Sequence, residues 1–172
     1  WDRIWTYMSE IVRPTRDGIH GREFISTVVD IGSRPMHLAT DGDGERPRYL
    51  QVQLPILFDS PPESAQSIEM ARLLAHAAEE LETLAFLPLE LVREAGAASS
   101  AVVPQLKTSE LEALKPSPRM IEILDDAPAA LSLTDAIVCE RLPFEPGWRE
   151  TLLASIAAGV RVFHLVTDYH GR

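Results

Sequence analysis

From residue 50 onward this chain alternates apolar, β-rich runs with amphipathic or Ala-rich segments, and that rhythm constrains its fold more than any other feature. "LQVQLPILFD" reads as a strand running into a short apolar core segment, and "SPPES" breaks it. "SAQSIEMARLLAHAAEELE" follows as a helix, with Ile68, Ala71, Ala75 and Ala78 on one line and Ser64 as its N-cap. "TLAFLP" is short and apolar. "LELVREAG" is a helix stopped by Gly96, and "SSAVVPQL" is a strand. "TSELEAL" and "SPRMIEIL" read as helical pieces, and "LSLTDAIVCERL" holds one or two strands. "EPGWRETLLASIAAG" is a helix stopped by Gly159, and "VRVFHLV" is a buried strand. Strands apolar throughout, with helices between them, indicate a parallel sheet covered on both faces. Its two regular solutions are an open doubly wound sheet and a closed (β/α) barrel. The pattern predicts a core of Leu54, Ile56, Leu57, Leu74, Leu84, Phe86, Val102, Val103, Ile137, Val138, Leu152, Ile156, Val162 and Leu165.

The first part of the chain has a different texture. Trp1, Ile4, Trp5, Met8, Ile11 and Val12 recur at helical spacing until Pro14, a stripe suited to docking. "GREFISTVVDIG" reads as extended. "TDGDGERP" is turn chemistry, and a hairpin is expected from "RPMHLAT" to "RYLQVQL". Residues 1–48 are therefore read as a helix and hairpin extension, and 49–172 as a partial (β/α) barrel domain.

The net charge of −10 falls mainly after residue 48 and argues against nucleic acid as a partner. No apolar run reaches the roughly 20 residues that span a bilayer, and no leader opens the chain, so the expectation is a cytoplasmic protein without a membrane partner. A single cysteine, Cys139, excludes an intrachain disulfide and a multi-Cys metal site, and its apolar setting predicts an inert buried thiol. No P-loop, G-x-S-x-G or HExxH motif occurs, and no metal site is expected.

The order of elements resembles a family. "LPILFDSPPESAQSIEMARLLAHAAEELETLAFLP" is similar to the opening of the FMN-dependent (β/α)8-barrel oxidoreductases, nearest the FMN domain of glutamate synthase, with the dihydroorotate dehydrogenases second. "ISTVVDIGSRPMHL" resembles their pre-barrel hairpin. "CERLPFEPGWRETLLASIAAGVRVFHLVTDYHGR" resembles a later unit whose strand ends at the flavin. The resemblance implies the N-terminal part of such a barrel, with FMN as cofactor. It departs at the loops. Where the family carries glycine-rich stretches similar to "MSFGALS", "TGEGG" and "DGxxGGTG", this chain has "DSPPESA", "LPLEL" and "TDYHGR". Glycine-rich loops let backbone N–H groups approach a phosphate.

Two functional expectations follow. One is a glutamate synthase-like oxidoreductase, in which Asp59, Ser60, Gln105, Lys107 and Arg141 meet the cofactor, and Asp168 and His170 do acid–base work, with His164 in the strand before them. Lys107 as a loop cap and Arg141 as a salt-bridged residue are the plainer readings of those two. The other is a non-catalytic scaffold in a larger assembly, joined to a protein partner or to further copies of itself. In either case the strand ends near Asp59, Pro88, Gln105, Arg141 and "VFHLVTDYHGR" should converge on one face, because parallel strands all point the same way.

Overall fold

The structure is a computed structural model, and it describes residues 29–32, 48–114 and 118–167. The expected helical stripe of residues 1–17, the stretch "RPMHLAT", and the site candidates Asp168 and His170 lie outside the described residues.

An antiparallel pair opens it, β1 (Val29–Gly32) with β2 (Tyr49–Val52), in the register Val29–Val52 to Gly32–Tyr49. The partner of the "RYLQVQL" strand is thus the "VVDIG" run, where β-branched residues favour extended backbone. Then come α1 (Ile68–Glu80), β3 (Ala85–Pro88), α2 (Leu89–Ala95), β4 (Val102–Leu106), β5 (Met120–Ile123), α3 (Ala127–Ala130), β6 (Ile137–Pro143), α4 (Trp148–Ala158) and β7 (Val162–Val166).

Strands β3 to β7 form one parallel sheet in the order β3-β4-β5-β6-β7. Before β3, Phe58 forms a parallel bridge with Ala85. Each strand lies beside its predecessor, so every crossover advances the same way. A doubly wound sheet reverses its strand order part-way; this one does not. The result is a curled half-barrel sheet plus a hairpin.

Register sorts the side chains into layers, since alternate residues of a strand face opposite sides. On one face Phe86, Val103, Met120 and Ile137 form an apolar cluster, which Leu50 and Val52 of β2 cover. The hairpin therefore packs against one face of the sheet. On the other face Ile121, Ile123, Leu106 and Val138 pack with Ala127 and Ala130 of α3. Ala71 and Ala75 of α1 and Val92 and Ala95 of α2 close over Leu87 and Val102. The small Ala stripe lets α1 sit close to the sheet.

Several sequence expectations are corrected. "RMIEIL" is strand β5, not helix: Met120 to Ile123 are buried on both faces, and four residues are too few for periodicity to decide. "TSELEAL" is helical as expected, in the 3-10 form over Thr108–Ala113. The cap of α1 is Ser67, whose hydroxyl accepts from the Met70 N–H at 3.1 Å; Ser64 lies in a preceding 3-10 turn, Glu63–Ala65. Both expected glycine stops hold, Gly96 and Gly159 each in the left-handed region that closes a helix.

Of the expected core, Leu84, Phe86, Val102, Val103, Ile137 and Val138 are buried, while Leu74, Leu152 and Val162 are half-buried. Leu54, Ile56 and Leu57 are exposed, because the chain runs along the sheet margin between β2 and Phe58 instead of entering the sheet. Ile156 and Leu165 are exposed as well, on α4 and on the last strand, where nothing among the described residues covers them.

Candidate functional site

The face carrying the Phe86 layer changes character toward the C-terminal ends of its strands. Pairing puts Gln105 beside Glu122, Glu122 beside Cys139, and Arg141 beside His164. An apolar floor thus rises into two rows that hold three polar or charged strand residues and one histidine. C-terminal strand ends are where parallel α/β folds place their sites.

Glu122 is the centre. It is fully buried, so its carboxylate needs partners on every side. Gln105 Nε2 donates to Oε2 at 2.6 Å, Arg141 Nη1 donates to Oε2 at 3.2 Å, and His164 Nδ1 lies 2.6 Å from Oε1. A carboxylate accepts, so Nδ1 carries the proton in that contact and the ring is fixed in one tautomer when neutral. The Phe86 ring lies 5.0 Å from the imidazole, centroid to centroid, and supports its other side.

Arg141 reaches outward as well. Its Nη1 and Nη2 donate to Asp59 Oδ1 and Oδ2 at 2.9 and 3.1 Å, a bidentate fork. Burial pushes the Asp59 carboxyl up, but the Arg141 hydrogen bonds and charge, the Ser60 N–H and His164 outweigh it and hold it below the usual carboxylate range. Burial likewise pulls Arg141 down, and its hydrogen bonds to Asp59 and the charge of Glu122 raise it above its ordinary value. The guanidinium is charged and doubly paired.

The structure therefore joins three of the expected residues, Asp59, Gln105 and Arg141, through one that sequence reasoning missed. Glu122 was hidden by the helical reading of "SPRMIEIL", which gave no reason to single it out. The available signal was a lone acid inside an otherwise apolar β-branched run. Ser60 stands beside the network, its N–H donating to Asp59 Oδ1 at 2.8 Å. Lys107 is exposed and outside it; its backbone N–H donates to Glu110 at 2.7 Å. Cys139 is buried in the row below Arg141, and burial, with Glu122 nearby, pushes its thiol far up. Among the described residues no group of three His, Cys, Asp or Glu is placed to hold a metal ion, and no helix is long and apolar enough to cross a membrane.

Two further carboxylates at this end engage nearby donors. Asp125 accepts from the Thr108 N–H at 2.9 Å and from its hydroxyl at 2.8 Å. Desolvation works against the Asp125 anion, yet these hydrogen bonds keep it below the usual range. Asp126 caps α3 by accepting from the Ala129 N–H at 3.1 Å. A phosphate needs N–H groups or cations; here Asp59, Glu110, Asp125 and Asp126 engage Arg141 and several backbone N–H groups, while the Lys107 side chain stays exposed.

Compared with protein-family models, with curated proteins and with solved structures, the chain matches none.

Proposed function

We propose that this chain is a barrel unit of the glutamate synthase-like, FMN-dependent oxidoreductase type that has lost flavin binding and serves as a non-catalytic scaffold in a larger assembly. The observation that carries this reading is the occupation of the anion-binding positions at the strand ends. Arg141, the cation best placed to meet a phosphate, is forked by Asp59 and shared with Glu122. A fully satisfied buried network is a framework feature: it fixes strand register and orients side chains without leaving a reactive group unpaired.

The assembly half of the reading rests on exposed apolar surface. Leu153 is 65% exposed and Ile156 41% on α4, and Leu165 is 46% exposed on β7, the last strand of the sheet among the described residues. Such a face beside a sheet edge suits a protein partner or a second copy. Sedimentation velocity should show concentration-dependent association.

A second reading keeps the oxidoreductase, with FMN held mainly by groups other than these. The Glu122–His164 pair at the C-terminal face favours it, since a carboxylate-oriented imidazole is suited to moving a proton. Titrating the purified chain with FMN separates the two. The scaffold reading expects no quenching of flavin fluorescence up to about 1 mM, a Kd worth only about −4 kcal/mol. Saturable quenching in the micromolar range would establish the flavin reading instead.

A further inference from the structure

Arg141 has two carboxylate partners of opposite character. Glu122 is fully buried and held from three sides, by Gln105, Arg141 and His164. Asp59 has a side chain 40% exposed, and among the described residues only the adjacent Ser60 N–H is hydrogen-bonded to it besides Arg141. It stands where the chain leaves the Phe58 bridge and enters "SPPES", outside any strand or helix. One partner is built into the sheet; the other arrives from a loop.

We infer that Asp59 is an internal stand-in for a ligand: it occupies a seat, made by Arg141 at the strand ends beside His164, that takes a small carboxylate anion when the Asp59 side chain is withdrawn. The inference rests on the reading that this end does not hold a flavin phosphate. The planar fork supplies the ligand class, because both Nη atoms engage the two oxygens of one carboxylate at 2.9 and 3.1 Å. Charge supplies the switch. With Asp59 in place, two carboxylates face the one guanidinium, and a further anion meets net repulsion. With Asp59 gone, Glu122 alone balances Arg141, and one external carboxylate restores the present arrangement. A phosphate dianion can also meet the fork, but it would add a second negative charge close to buried Glu122, so a carboxylate is favoured.

The test uses acetate as the probe, titrated into the chain and followed by the His164 imidazole resonances, with chloride at equal ionic strength as the baseline. Asp59→Ala should bind acetate at least about tenfold more tightly than the wild type, a gain of about 1.4 kcal/mol. The gain should vanish in the Asp59→Ala, Arg141→Ala double variant. Asp59→Asn keeps the shape and removes the charge; it should show a smaller gain of the same sign, and it carries the comparison if Asp59→Ala does not fold. Equal acetate affinity in wild type and both single variants overturns the inference, as does a gain that survives loss of Arg141 or is matched by chloride. FMN binding by the wild-type chain would instead sink the scaffold reading, and the acetate comparison would still report on Asp59.

Discussion

Replacing Glu122 by alanine should be among the most damaging single changes in this protein. The side chain has no solvent exposure and accepts from three separate side chains. Its removal leaves the Gln105 Nε2 donor, on a residue 6% exposed, without its carboxylate acceptor, leaves the His164 Nδ1–H without a carboxylate, and strips Arg141 of its buried partner while Asp59 remains. Breaking a buried ionic pair from one side costs about 3–5 kcal/mol, and each orphaned buried donor about 1–3. These overlap, because Arg141 keeps Asp59 and His164 is partly exposed, so about 3–5 kcal/mol is expected for Glu122→Ala. Glu122→Gln retains the volume but turns one acceptor into a donor facing other donors, at about 1–3 kcal/mol. Urea unfolding followed by tryptophan fluorescence measures both, with Trp148 on α4 as a reporter within the described fold. A double-mutant cycle with His164→Ala should show a coupling of about 0.5–3 kcal/mol. A Glu122→Ala cost below about 1 kcal/mol, with negligible coupling to His164, would refute the network as described.

Three further outcomes are expected. Asp59 is held below its ordinary value, so its contribution is complete above the unfolded value of about 4 and is lost as pH falls through the lower folded value; Asp59→Asn should flatten that part of the acid unfolding curve. Ile121→Ala, at a fully buried position, should cost about 2–5 kcal/mol, whereas Ile156→Ala, half-solvated on α4, should stay within about 1 kcal/mol by the same urea assay. The Cys139 thiol is buried and pushed well above its ordinary range, so it should resist a thiol reagent at pH 8 in the native protein and react once the chain is unfolded in urea.

Much of the sheet was legible because parallel strands buried on both faces carry their own signature. "AVVPQL", "DAIVCERL" and "VRVFHLV" are apolar at odd and even positions alike, and each became a strand. The common direction of parallel strands is enough to bring the ends near Asp59, Gln105 and Arg141 to one face. Three things were not legible. "MIEI" is too short to distinguish from a helical turn, and with it went Glu122. Leu54, Ile56 and Leu57 look like core by composition, but the chain path from β2 to Phe58 leaves them at the margin. The pairing state of Arg141 is a fact of three dimensions: its acids lie 82 and 19 residues away in sequence, and no local pattern announces that they meet it.

The unbroken succession of neighbours in the sheet also bears on how the chain reaches its native state. Each strand from β3 to β7 finds its partner one crossover away, so the sheet can grow by accretion with short loop closures throughout. The β1–β2 hairpin is different. It precedes the sheet in the chain, yet its Leu50 and Val52 rest on residues drawn from β3 to β6, and Arg48 clasps Asp135 at 3.0 Å across 87 positions. That surface does not exist until β6 has been laid down. The hairpin, made before the strands it rests on, is thus expected to dock late, and pulse-labelled hydrogen exchange should find the β1–β2 amides gaining protection after those of β4 and β5.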